Sequence, residues 1–133
     1  MVGARRGPQV AVTDATDSAR RKFRREIQAG ANALRVLAVL ASSDRPLYGI
    51  EIIELVADTD RVRGIEQGTV YYILRSFFEQ GLVMIQTRPT GHGPSRKYYV
   101  ITPTGQEALS AWISDWTQAR EAVDSIVTAV RGS

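Results

Sequence analysis

The charged side chains of this 133-residue chain are 17 arginines and lysines against 14 acids, and it is the placing of the cations that suggests chemistry. Cysteine is absent and His92 is the sole histidine. That removes disulfides, thiolate zinc sites and a thiol nucleophile, and it starves any imidazole metal site. His92 lies in a glycine-rich turn, and most acids fall on faces read as solvated, so no nucleophile–base pair or facing carboxylates can be assembled. The expectation is therefore a protein that is not an enzyme and that uses no metal and no cofactor. The cations are grouped instead. Residues 1–25 carry seven bases and two acids, and residues 61–100 carry six and two. The blocks between and after them, 26–60 and 101–133, are net acidic. Basic blocks confined to parts of a domain suit a polyanion, because neutralising phosphates releases counterions.

Helices and a hairpin must position these cations. Met1 to Ser18 lacks apolar periodicity and reads as a flexible arm, giving an arm over 1–19. From about Arg20, the residues Phe23, Ile27, Ala31, Leu34, Leu37, Ala38 and Ala41 recur at helical spacing. Ser43-Asp44-Arg45-Pro46 ends that helix, because proline disfavours helical geometry in the residue before it. A second helix is expected from about Tyr48 to Ala57, with Ile52, Ile53 and Val56 inward and Glu51, Glu54 and Asp58 as solvated surface. A third starts near Gln67-Gly68-Thr69, with Val70, Ile73, Leu74, Phe77 and Phe78 as its apolar positions and Gly81 as its cap.

The period then changes. Leu82–Ile85 and Lys97–Ile101 are β-rich runs around the turn cluster Thr90–Pro94, which predicts a hairpin. Three helices and a hairpin make a mainly α, α+β winged helix-turn-helix over 20–102. In that geometry the third helix enters the major groove and the hairpin reaches flanking backbone. Arg75 falls on the third helix, Arg88, Arg96 and Lys97 on the wing, and Arg61 and Arg63 just ahead of the third helix. After the Thr102-Pro103 start signal a last helix runs over 103–131. Trp112, Trp116, Ala119, Val123, Ile126 and Val130 follow a 4-3-4-3-4 spacing along it, with Leu109, Ile113 and Val127 widening the stripe. About 28 residues span roughly 42 Å, more than a small winged domain covers. A second copy of the chain is the simplest partner, giving an isologous homodimer. The longest apolar run, Val36–Ala41, is too short to span a bilayer, so no membrane partner is expected.

Several segments resemble one family. Leu47-Tyr48-Gly49-Ile50-Glu51-Ile52 is similar to the element that opens the second helix in PadR-family regulators. Gly68-Thr69-Val70-Tyr71 with Leu74 resembles their recognition-helix start, and Glu79-Gln80-Gly81-Leu82-Val83 their lead into the wing. Gly93-Pro94-Ser95-Arg96-Lys97-Tyr98-Tyr99 followed by Ile101-Thr102-Pro103-Thr104-Gly105 resembles their wing and final-helix entry. The short C-terminal part is similar to the subgroup with a single dimerisation helix. Tyr72 stands where the family often has proline, and Phe77-Phe78 replaces a more usual Arg-Leu pair.

The resemblance implies a cytoplasmic, DNA-binding transcription repressor. Gln67, Thr69, Tyr71 and Tyr72 would meet base edges and phosphates, and Arg75, Arg88, Arg96 and Lys97 would meet the backbone. Gln67 is the preferred base reader; Tyr71, Tyr72 and Thr69 each have a purely structural alternative. The operator should be an inverted repeat. The resemblance further implies a small aromatic effector stacked on Trp116, with Trp112 behind it, against the simpler reading of both as interface core. The rival reading is a winged helix that contacts proteins only, since fold alone does not decide function.

Overall fold

The computed structural model describes residues 2–59 and 65–132, with side chains from Thr13 onward. The elements are α1 (Val2–Ser42), β1 (Leu47–Tyr48), α2 (Gly49–Ala57), α3 (Gln67–Glu79), β2 (Val83–Arg88), β3 (Arg96–Ile101) and α4 (Pro103–Gly132). They fall into two compact units, Met1–Asn32 and Ala33–Ser133. The first departure from the sequence reading is at the start. Residues 2–19 are helical, not an irregular arm, and the units part within α1 and not near residue 19. Past Gly3, Gly7 and Pro8, no glycine or proline interrupts residues 9–29, so over that span the weak preferences of Thr, Val and Asp cost little against continuous helix.

Within the second unit α1 contributes Val36, Leu37 and Leu40 to the core, with Ala33, Leu34, Val39 and Ala41 packed around them. Ala38, expected inward, is exposed. The run 31–41 is apolar on nearly every side, so its periodicity could not choose a face. A bend at Asp44-Arg45 and then Pro46 deliver the chain into β1, which the sequence reading placed at the start of α2. Leu47 and Tyr48 pair with Tyr99 and Tyr98 of β3, making a three-stranded antiparallel sheet of order β1-β3-β2 in place of a bare hairpin.

α2 begins immediately after Tyr48. The Glu51 carboxylate accepts the Tyr48 N–H at 3.1 Å and pairs with the Arg45 guanidinium, so this acid caps a helix and is not idle surface. Arg45 and then the Tyr48 N–H hold the Glu51 carboxyl below its ordinary pKa range. At the other end Arg35 of α1 donates to the Val56 carbonyl at 3.0 Å and to the Thr59 hydroxyl at 2.8 Å. These bonds tie α1 to the end of α2, where the Val56 carbonyl also accepts the Thr59 N–H and hydroxyl. Ile52 and Val56 are fully buried beneath.

α3 ends as expected. Gly81 takes φ +77°, a left-handed conformation that a side chain would disfavour, and turns the chain into β2. Thr102 secures the same corner. Its hydroxyl donates to the Gly81 carbonyl at 2.7 Å and accepts the Gly105 N–H at 3.0 Å, while its own N–H donates to the Leu82 carbonyl. A Cβ at Gly105 would overlap the Leu82 carbonyl oxygen, so glycine there lets α4 start against the backbone of β2. The Thr-Pro-Thr-Gly segment is thus a clasp between the α3–β2 corner and α4.

Candidate nucleic-acid interface

Four residues of α3 are buried, Val70, Ile73, Leu74 and Phe77. At 100° per residue the opposite side of the helix carries Gly68, Tyr72, Arg75 and Glu79 in one exposed line. Tyr72 is 72% exposed. Gln67 is exposed at the first turn and Thr69 is half-buried on one flank. The other flank carries Tyr71 and Phe78, one turn on either side of Arg75, and faces the wing. There Tyr71, Arg75 and Phe78 line a groove with Ile85, Lys97 and Tyr99.

Tyr71 and Tyr72, equivalent in sequence, therefore sit in different surroundings. Tyr72 stands in solvent. Tyr71 lies across the start of α2, where a Cβ on Gly49 would come within 2.5 Å of its ring. Glycine at position 49 thus keeps the space that Tyr71 occupies. Tyr71 also borders a second recess with Tyr48, Gly49, Ile50, Arg96, Lys97 and Tyr99.

The wing separates its cations. In β3, Lys97 and Tyr99 point to the α3 side while Arg96 and Tyr98 point away, because successive strand residues face opposite sides. Tyr99 is buried, which pushes its phenol pKa up. Lys97 therefore shares the α3 groove with Arg75, whereas Arg88 and Arg96 sit directly opposite one another on the outer face.

That outer face holds a stack that was not foreseen. The Arg88 guanidinium lies 4.5 Å from the centre of the Tyr98 ring, Tyr98 and Tyr48 have centroids 5.7 Å apart, and Arg96 lies 5.1 Å over Tyr48. Two like charges facing across a ladder repel. Each guanidinium is instead drawn onto a tyrosine, a contact worth about 0.5–1 kcal/mol at an exposed site. No carboxylate occurs between Glu79 and Glu107, so the wing's own segment supplies no acid to offset these charges. The signal was available, since period-two alternation puts Arg96 and Tyr98 on one face. Tyr48, by contrast, needed the unforeseen strand β1.

His92 is exposed at the wing turn, where its backbone N–H and carbonyl both meet the Thr90 hydroxyl. Arg61 and Arg63 lie outside the described residues. Among the described residues no cluster of His, Asp and Glu could hold a metal ion.

α4 divides the expected dimerisation stripe. Leu109 is buried, and Trp112 packs against the core with its ring 5.8 Å from Phe77. Trp116 is 49% exposed, and Ala119, Val123, Ile126 and Val130 are exposed as well. The two tryptophans proposed to act together thus differ, the first belonging to the core of its own chain.

Three helices, a three-stranded wing and a basic groove between α3 and β3 define a winged helix-turn-helix protein. The sequence profile of the "Transcriptional regulator PadR-like family" matches residues 36–111, more than half of the chain. The chain belongs to this family and is a transcription regulator. It is similar to a PadR-family transcriptional regulator of Eggerthella lenta, with TM-score 0.68 and 26% identity over 85% of this chain and 96% of that one. A transcriptional regulator of Clostridium thermocellum shares the fold at TM-score 0.67 and 21% identity, over 75% of this chain and 96% of that one. An uncharacterised protein of Lysinibacillus sphaericus is 27% identical over 90 residues, covering 67% of this chain and 81% of its own length.

Proposed function

We propose that this PadR-like regulator is a sequence-specific repressor that binds duplex DNA as a homodimer at an inverted repeat. The observation that carries the reading is the exposed line Gly68–Tyr72–Arg75, closed by Glu79, beside a groove bordered by Lys97, whose own wing, residues 80–106, carries no acid. A helix that offers polar and aromatic side chains at its start and cations beside it suits a major groove with phosphates at the rim. Gln67 and Tyr72 read base edges from the first turns of α3. Arg75 and Lys97 pair with phosphates next to them, and Tyr71 and Thr69 support the helix start. Arg88 and Arg96 meet the backbone beyond, held ready by Tyr98 and Tyr48.

Homodimerisation is supported by the distal half of α4. Trp116, Val123, Ile126 and Val130 form an apolar stripe that is exposed among the described residues. Burying such side chains against a second copy stabilises each by about 1.5–3 kcal/mol. A two-fold axis there places the two half-sites about one helical turn of DNA apart, roughly 34–36 Å. Half-exposed Trp116 beside that axis suits a flat aromatic effector whose binding releases the DNA. The cytoplasm is the compartment such a repressor works in.

The test is fluorescence anisotropy against the DNA upstream of the protein's own gene and against a scrambled duplex, at two salt concentrations. Tight, salt-sensitive binding with a clear preference for the first is expected. Equal binding to both would favour a protein-contact module.

A further inference from the structure

α1 carries a second concentration of charge, far in sequence from α3 and the wing. Arg20, Arg21, Lys22, Arg24 and Arg25 occupy five of six consecutive positions, and all but half-buried Arg24 are exposed. At about 100° per residue they spread over roughly 200° of the helix surface, and Phe23 and Ile27 fall in the remaining arc. Asp17 and Glu26 lie within a turn of the cluster. Among the described residues, however, none of the five cations forms a salt bridge; the pair seen is Arg45–Glu51. Like charges packed this closely on one helix destabilise it, and a polyanion would relieve the strain.

We propose that this face of α1 is a second, sequence-independent contact for the DNA backbone, made by residues other than the α3 and wing set. The inference rests on the DNA-binding reading above. Six helical residues rise about 9 Å. A duplex carries about five phosphates along that length, at one per 1.7 Å. Charge density thus matches charge density. A lipid surface fits less well, because an interfacial helix needs a continuous bulky apolar face, and between Thr13 and Gly30 only Phe23 and Ile27 are bulky and apolar.

The experiment uses the full chain and three variants: R20Q/R21Q/K22Q/R24Q/R25Q, the charge-preserving R20K/R21K/R24K/R25K, and the milder R20Q/R24Q. Affinity for the operator and for a scrambled duplex is measured across a salt series, with helix content followed by circular dichroism. The glutamine variant is expected to weaken both complexes by the same factor, leaving the preference ratio unchanged. Its plot of log affinity against log salt should become shallower by about 0.9 for each phosphate released, about two or more per subunit. The lysine variant should keep the wild-type slope, and R20Q/R24Q should lose about one unit while staying helical.

An unchanged slope in both glutamine variants overturns the proposal. So does a preference ratio that collapses, which would mean the cluster supports base reading. Binding to phosphatidylglycerol vesicles that depends on these cations, with an unchanged DNA slope, also overturns it in favour of a membrane surface. If the wild-type chain shows no sequence preference on DNA at any salt, the underlying repressor reading fails instead.

Discussion

The two halves of α4 carry the same apolar spacing and meet different neighbours. In the first turns Gly105 lies against the Leu82 carbonyl, Leu109 is buried, and Trp112 packs at a tilt beside Phe77. From Trp116 onward the large side chains stand in solvent, Ile126 at 68% exposure. The stripe therefore records that burial is intended but not by what. Its first part closes the chain's own core, and its second part is exposed, the face on which the proposed homodimer would form. The wing divides in the same way, with Lys97 turned toward α3 and Arg96 turned away from it.

The contrast can be broken most forcefully at the tryptophans. Trp112→Ala should cost about 3 kcal/mol of folding stability, as large-to-small changes in a core do, read from urea unfolding. Trp116→Ala should cost less than about 0.5 kcal/mol in the same assay, as surface changes do, and show its effect in self-association. An equal loss for both would erase the distinction. Next in size, V123D/I126D should keep the fold yet sediment as a monomer, and its melting temperature should no longer depend on protein concentration. Thr102→Ala should cost about 1–2 kcal/mol, because it removes both the N-cap of α4 and the bond to Gly81.

Gly49→Ala should change melting by less than Thr102→Ala. It should nonetheless weaken operator binding several-fold, because the displaced group is the movable ring of Tyr71 and not backbone. The smallest effect is expected at the α2 cap. Glu51 is held below its unfolded pKa of about 4.3, so its contribution is complete above that value and is lost as pH falls through the lower folded value. Partial exposure of the pair keeps it small. Glu51→Gln should flatten the acid limb of stability against pH between about 5 and 3.

Much of this was legible before folding. α3 begins at Gln67 and ends at the Gly81 cap because the apolar period and the turn residues agree there. The wing could be read because glycine and proline separate two β-rich runs. β1 was hidden, since two residues carry no period and its existence depends on a partner strand some fifty residues away. The inward face of α1 was hidden for another reason, as a segment apolar on nearly every side does not specify which side is covered.

By itself the sequence determined the order and type of the main elements, the absence of cysteine chemistry, and the location of the basic blocks. These follow from local periodicity and composition. Only the tertiary structure decided that Trp112 and Trp116 part company, that Tyr71 fills the space above Gly49 while Tyr72 stays free, and that Arg88, Tyr98, Tyr48 and Arg96 stack in one row. Each of these depends on which residues distant in sequence come within a few ångströms, and spacing along one chain carries no measure of that distance.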